Sequence, residues 1–146
     1  MHRRRTIVIG LDSVDLRLVK KWNSAGELPC LGTLLATCPT VKLSTPSRVL
    51  QGSVWPSLLT GASPGHHGLY LQTQLANGTY KLTDTHADHV QLKRFYEHLE
   101  AAGVRCGLAD IPTDRPTTHI RGVQVVDWAT EFRFWRYETV PRSFAR

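Results

Sequence analysis

Hydrophobic and polar positions along the chain fall into short blocks that predict alternating strands and helices. Residues 6–11, TIVIGL, are apolar and rich in β-branched side chains. This pattern is typical of a strand that is buried on both faces in a parallel sheet. Residues 15–25 instead repeat apolar side chains at helical spacing, and Gly26 is expected to stop that helix.

The same patterns predict further elements later in the chain. They are a helix at residues 31–36 with buried leucines, a short strand at 40–43, an apolar helix at 54–59, a hairpin at 69–82, a helix at 86–102, and strands at 104–111 and 122–128. The hairpin prediction rests on the Asn77-Gly78 pair, a strong turn signal. The helix-to-strand pair over residues 89–111 is typical of an α/β crossover. We therefore expect a single α/β domain over residues 1–146, with a largely parallel sheet flanked by helices.

Composition and charge narrow the class of protein. The 146 residues are 41% hydrophobic and 21% charged, as in a globular domain. The net charge of +6 favours attraction of phosphates. Neither a basic helix nor an aromatic platform accompanies it, so nucleic acid is the weakest candidate partner.

Three cysteines without a CxxC pair match neither a zinc finger nor a disulfide framework, which favours reduced thiols in the cytoplasm. The apolar run after the basic residues at the start is too short for a secretory signal, and no stretch is long enough to span a membrane. We therefore expect a cytoplasmic protein without a membrane partner.

The stretch 51–68, QGSVWPSLLTGASPGHHG, is the one around which the chain is organised. Its apolar middle predicts a helix, with a Gly-Ser step before it and a Thr-Gly stop after it. Free N–H groups at the start of a helix favour an oxyanion or a phosphate group, so a nucleophile for a phosphate ester fits there. A plain buried helix between two loops fits the same pattern.

Asp12 directly follows the first predicted strand. Open α/β sheets place ligand chemistry at the carboxyl ends of their strands, which makes this carboxylate a candidate metal ligand. Because a helix follows at once, Asp12 also fits a helix N-cap, and the two roles are compatible.

Several motifs together resemble the type I phosphodiesterase/nucleotide pyrophosphatase family of the alkaline phosphatase superfamily. They are the strand end Gly10-Leu11-Asp12, the run WPSLLTGASPGHHG, the helix text LVKKWNSAGELPCLGTLL, and the later run GVQVVDW. The resemblance covers most of the chain. The piece TG-x-x-P-x-x-HG is fairly specific for the superfamily, although sulfatases share it.

The resemblance implies an alkaline-phosphatase-like fold and hydrolysis of phosphate esters or pyrophosphate bonds. It also implies two divalent metal ions, usually zinc, and a Thr or Ser nucleophile whose pKa they lower. Asp12 corresponds to the family's first metal ligand. His67 corresponds to a position that serves the loop, so we interpret it as a hydrogen-bonded loop histidine and His66 as its exposed neighbour.

The nucleophile position departs from the family pattern. Counting back from Thr60-Gly61 at the family's spacing reaches Gln51, and an amide does not attack phosphorus. Ser53 is the nearest hydroxyl at the expected helix start, and it is our candidate catalytic residue. Ser53 also fits an N-cap, a position that serine favours.

The remaining metal ligands of the family are a second departure. Its later Asp and His motifs are not recognisable here; the residues Asp84, His86, Asp88 and His89 come too early in the chain, where capping explains them better. A single carboxylate holds zinc too weakly, since such sites need three or four ligands. We therefore expect an incomplete N-terminal portion of a longer enzyme, which does not bind its metals stably alone and lacks a C-terminal portion as partner.

Three hypotheses for function follow. The first is a metal-dependent phosphate-ester or pyrophosphate hydrolase of low activity in this short form, with a nucleotide or another small phosphate ester as substrate. The second is a non-catalytic pseudoenzyme or interaction module with the same fold, which Gln51 favours. The third is a sulfatase-like hydrolase, because residues 44–48, STPSR, resemble a sulfatase signature, but they lie too far from Thr60-Gly61.

Overall fold

The computed structural model describes residues 5–45, 50–117, 120–126 and 138–145. The chain divides into two compact units, Met1–Ser44 and Thr45–Arg146. The single domain expected from the sequence stays a prediction, and each unit is described by itself.

In residues 5–44 of the first unit the regular structure consists of two helices, α1 at Leu16–Ser24 and α2 at Pro29–Thr37. The side chain of Asp15 caps α1 by accepting a hydrogen bond from the Arg17 N–H at 2.7 Å. Gly26 has a left-handed backbone (φ 76°) directly after the helix. Both predicted helices and the predicted stop are confirmed.

The predicted buried strand at residues 6–11 is wrong. This run pairs with no strand in the described part of the first unit, and Ile7, Val8 and Ile9 are 85%, 77% and 77% exposed. The predicted strand at 40–43 is also wrong, and none of the leucines of α2 is buried. A β-branched run specifies extended backbone, but burial also requires neighbouring strands, which the run itself does not encode.

The α-helices in the described part of the second unit are α3 at Val54–Thr60, α4 at Pro64–His67 and α5 at Phe95–Ala101. The end of α3 is set by Gly61, whose left-handed φ of 68° lets the chain turn away. The predicted helix at 54–59 is confirmed. The helix predicted from residue 86 is shorter than expected, because Ala87–His89 forms a separate 3₁₀ turn.

Five short strands lie in the described residues of the second unit. β1 at Thr73–Leu75 and β2 at Leu82–Asp84 form the antiparallel hairpin predicted around Asn77-Gly78. A three-stranded sheet follows, with β3 at Gly107–Ala109, β4 at Val123–Val126 and β5 at Glu138–Val140.

The order in this second sheet is β3-β4-β5. β3 runs parallel to β4, with Gly107 opposite Val123, whereas β4 and β5 are antiparallel. The α/β class is confirmed. The largely parallel sheet is not, since the sheets in the described residues are small and mixed. The left-handed backbone of Asp110 (φ 51°) ends β3 earlier than its apolar run suggests.

A buried ion pair joins the start of α5 to the loop that follows β3. The side chains of Arg94 and Asp114 are only 2% and 1% exposed, and Arg94 Nε lies 2.8 Å from Asp114 Oδ1. The Tyr96 hydroxyl lies 2.7 and 2.8 Å from the two oxygens of Asp114. Burial first, and then the Asp114 carboxylate, raise the pKa of Tyr96, so its phenol remains a hydrogen-bond donor.

Gln124 extends this network from β4 into the same loop. Its Nε2 donates to Asp114 Oδ2 at 3.2 Å and to the Arg115 carbonyl at 2.8 Å. Its Oε1 accepts from the Thr117 N–H at 2.9 Å. The loop is thereby bonded to both α5 and β4. Within it Thr113 adopts a left-handed φ of 55°, an unfavourable conformation that persists only where surrounding contacts hold the backbone.

The buried pair predicts an asymmetric cost of mutation. Arg94→Met leaves the Asp114 carboxylate buried without its cation, which we expect to lower the free energy of unfolding by about 3–5 kcal/mol. Urea unfolding measures it. The control is Arg115→Met, because Arg115 and its partner Asp88 are 29% and 70% exposed and such a pair contributes about 0–1 kcal/mol. Equal losses in the two variants would contradict the assignment.

Candidate functional site

The turn before α3 carries the candidate nucleophile. Gln51–Ser53 forms one 3₁₀ turn, and α3 follows directly. Ser53 is fully buried, and its hydroxyl donates a hydrogen bond to the Leu50 carbonyl at 2.6 Å. Ser53 occupies the N-cap position of α3, but its side chain makes no capping bond there. The hydroxyl is thus turned back toward Leu50, the residue before the turn, while Gln51 is exposed.

The middle residue of this turn is pressed against another part of the backbone. A Cβ atom built on Gly52 would lie 2.8 Å from the carbonyl carbon of Leu71 and 3.0 Å from its Cα. Contacts this short with backbone atoms leave no room for a side chain. Glycine is therefore needed here to let two backbone segments approach closely.

The segment after α3, residues 61–67, carries His66 and His67, and we call it the histidine loop. Short local hydrogen bonds hold it. The Thr60 hydroxyl donates to the Pro56 carbonyl at 2.7 Å and accepts from the Ala62 N–H at 3.2 Å. The exposed His66 pairs its Nδ1 with the Ser63 hydroxyl at 2.8 Å. The Thr-Gly stop and the exposed position of His66 are thus confirmed.

His67 is buried and links the two ends of this loop. Its Nδ1 accepts the Leu69 N–H at 3.2 Å, so the proton of the neutral ring lies on Nε2, which donates to the Ser57 hydroxyl at 2.9 Å. Burial lowers the pKa of His67, which favours this neutral form. The interpretation of His67 as a hydrogen-bonded loop histidine is confirmed. With both ring nitrogens engaged, His67 is not arranged to act as a base.

Asp12 lies in the first unit, at an exposed position. Its Oδ2 accepts a hydrogen bond from the Ser13 hydroxyl at 3.1 Å, and Ser13 has a left-handed φ of 54°. The N-cap role considered for Asp12 is wrong, because Asp15 caps α1 instead. Its role as a metal ligand stays a prediction, as does the catalytic role of Ser53, which lies in the second unit.

The residues of the described ranges do not fit a two-metal centre. No group of three or more His, Cys, Asp or Glu side chains that could hold a metal ion occurs in residues 5–45, 50–117, 120–126 and 138–145. Structural and catalytic zinc sites need three or four protein ligands. We therefore derive no chemical step through a metal for this chain.

The acidic and histidine residues near the hairpin have structural partners. Asp84 accepts from the Thr73 hydroxyl at 2.9 Å across the strands, and the backbone N–H of His86 donates to His89 Nδ1 at 3.2 Å. Asp88 Oδ1 lies 3.4 Å from Arg115 Nη1. These contacts agree with a structural rather than a metal-binding role. The sulfatase-like signature falls largely outside the described residues, since residues 46–49 are not among them.

Sequence reasoning missed the side chains that fix the segment after His67. Gln74 and Thr85 each hold part of it by hydrogen bonds, and Ser57 bonds the ring of His67 directly before it. Their spacing follows no helical or strand period, so no pattern in the sequence points to them.

The contact at Gly52 predicts a local steric effect. Gly52→Ala drives a methyl group into the Leu71 backbone, and overpacking of this kind lowers the free energy of unfolding by about 1–3 kcal/mol. Urea unfolding of the purified chain measures the change. Gly65→Ala is the matched control, because its nearest atom, Ser63 Oγ, is 3.9 Å away and alanine is favoured in a helix. A neutral Gly52→Ala would show that the close approach is absent in solution.

The lowered pKa of His67 predicts a pH dependence of stability. In the unfolded chain a histidine has a pKa of about 6.5. His67 therefore binds a proton more readily in the unfolded chain than in the folded chain. Stability due to this group is therefore complete above that value and is lost as the pH falls toward the folded pKa. Urea unfolding at about pH 8 and about pH 5 measures the loss.

His67→Asn tests the source of that loss, since Asn keeps an acceptor for the Leu69 N–H but does not titrate. We expect this variant to lose less stability on acidification than the unmodified chain, and His66→Asn to lose as much as the unmodified chain. An unchanged pH slope in His67→Asn would exclude His67 as the cause.

Comparison with known proteins places the chain in a family. No curated protein matches it, and no solved structure does. The model of the family described as type I phosphodiesterase / nucleotide pyrophosphatase matches residues 6–144. That match includes the turn, α3 and the histidine loop described above. The chain therefore belongs to the type I phosphodiesterase / nucleotide pyrophosphatase family.

Proposed function

We propose that this chain is a phosphate-ester hydrolase of the phosphodiesterase/pyrophosphatase type, with low activity by itself. The family match over residues 6–144 is the observation that carries this proposal. A nucleotide or another small phosphate ester is the proposed substrate. We also propose that the protein is cytoplasmic and that its whole fold is alkaline-phosphatase-like.

Ser53 is the proposed nucleophile. In this chemistry a serine oxygen bonds to phosphorus, and the ester oxygen departs as an alcohol that carries the serine proton; water then releases the phosphate. The hydrogen bond from Ser53 to the Leu50 carbonyl supports low activity, because the hydroxyl must first leave that carbonyl and its buried position. Asp12 is proposed as a metal ligand of a complete enzyme only. The described residues of this chain complete no metal site around it, and we propose that the chain alone does not bind the metals stably.

A non-catalytic module with the same fold is the second candidate function. Two observations favour it: the Ser53 hydroxyl is buried and engaged, and the exposed residue of the turn is the amide Gln51. In this case the chain would bind phosphate esters or a protein partner without turnover. Helices that could cross a membrane are not found among the described residues.

Release of nitrophenol from a nitrophenyl phosphodiester, with zinc added, tests the first function. We expect slow release that falls to the protein-free background in Ser53→Ala, because the nucleophile has been removed. Ser63→Ala is the matched control, since Ser63 is an exposed serine of the same region that we assign no role in the reaction. It should retain the release rate of the unmodified chain.

The outcomes separate the hypotheses. Release that survives in Ser53→Ala would remove Ser53 from the mechanism. If the unmodified chain releases no nitrophenol but Gln51→Thr does, the chain is a family scaffold that lacks only its nucleophile. No release from either protein would favour the non-catalytic module.

A further inference from the structure

The segment after the histidine loop, residues 68–72, is held in an unusual way; we call it the brace. It forms neither helix nor strand, yet side chains outside it bind its backbone. The Gln74 amide does this twice: Oε1 accepts the Tyr70 N–H at 2.9 Å, and Nε2 donates to the Gly68 carbonyl at 2.9 Å. One half-buried side chain thus fixes two backbone groups two residues apart.

Other side chains hold the brace from different positions. The Thr85 hydroxyl lies 2.7 Å from the Leu71 carbonyl and 2.9 Å from the Gln72 carbonyl. His67 Nδ1 accepts the Leu69 N–H at 3.2 Å. Backbone groups in an irregular segment must otherwise bond to water or to other backbone. Here they are bonded to side chains that come from the hairpin and from α4, which fixes the path of the brace.

The brace in turn sets the position of the turn Gln51–Ser53. The Leu71 backbone is the surface against which Gly52 packs, with no side chain between them. Because Gly52 adjoins Ser53 in the chain, a shift of the Leu71 backbone would be passed to the turn that carries Ser53. Thr85 therefore bonds the same residue, Leu71, whose backbone contacts Gly52 in the turn.

We propose that Gln74 and Thr85 are positioning residues for the turn that carries Ser53, and that they act through the backbone of Leu71. They hold the brace against Gly52 and thereby keep the turn in one conformation. The consequence for catalysis rests on the proposed function, whereas the consequence for the turn itself does not.

Amide hydrogen exchange, followed residue by residue by NMR, tests the proposal. The Ser53 N–H donates to the Leu50 carbonyl at 3.1 Å, so its exchange rate reports opening of the turn. Gln74→Leu removes two hydrogen bonds from the brace and should speed exchange at Ser53 by about tenfold. Thr85→Val removes only a hydroxyl at constant shape and should speed it by about fivefold. The Ala102 N–H, which donates to the His98 carbonyl at 3.0 Å at the end of α5, is the internal reference and should not change.

Gln72→Leu is the matched control, because the Gln72 side chain is exposed although it belongs to the brace. It should leave exchange at Ser53 unchanged. Faster exchange at Ser53 in both Gln74→Leu and Thr85→Val, with Ala102 constant, supports the proposal. Equal acceleration at Ser53 and Ala102 would show global destabilisation only and would overturn it, as would an unchanged rate at Ser53 in both variants.

The nitrophenol assay adds a separate readout. If the unmodified chain turns over substrate, Thr85→Val should change kcat while KM and the unfolding midpoint stay nearly constant; a change in KM alone would overturn the catalytic part. If the unmodified chain shows no turnover, the proposed function fails, and the exchange rates still decide whether the brace positions the turn.

Discussion

The hydrogen bond from the buried Ser53 hydroxyl to the Leu50 carbonyl constrains what this chain can do chemically. A buried hydroxyl that loses its partner costs about 1–3 kcal/mol. Any conformation in which Ser53 faces a substrate must supply that cost, so the reactive population would be roughly fivefold to 150-fold smaller than the total. The same bond that makes the turn well ordered thus limits its reactivity.

The surroundings of the turn reinforce this constraint. Gly52 lies against the Leu71 backbone, and the brace that contains Leu71 is fixed by Gln74 and Thr85. His67 closes the loop after α3 from the other side, with both ring nitrogens engaged. In a hydrolase, such an arrangement would serve pre-organisation, since reacting groups must be held within a fraction of an ångström. In this chain the geometry is ordered around a serine that points away from solvent.

Local signals in the sequence were sufficient for much of the fold. The helices α1, α2 and α3 and the hairpin were predictable because capping residues, apolar spacing and Asn77-Gly78 act within a few residues of where they stand. The burial of strands was not predictable, because strand pairing joins segments that are distant in the sequence. Residues 6–11 illustrate this: their pattern specifies extended backbone, yet Ile7 is 85% exposed. β5 was missed because the region before it has no clear period.

The candidate site divides in the same way. The turn and the helix followed from the sequence pattern, and the role of His67 followed from the family resemblance. The orientation of the Ser53 hydroxyl depends on contacts that no motif encodes. The role of Gln74 was equally invisible, because a glutamine in a hairpin is ordinarily a surface residue. The buried pair Arg94–Asp114 was also missed, since charged residues are rarely fully buried.

Calorimetric titration of the purified chain with zinc tests most directly whether the family's scaffold is present here without its metal centre. We predict no stoichiometric binding tighter than roughly micromolar, because a single carboxylate is not a zinc site, and no difference between the unmodified chain and Asp12→Asn. Tight binding of two zinc ions per chain, with loss of one or both in Asp12→Asn, would contradict this account.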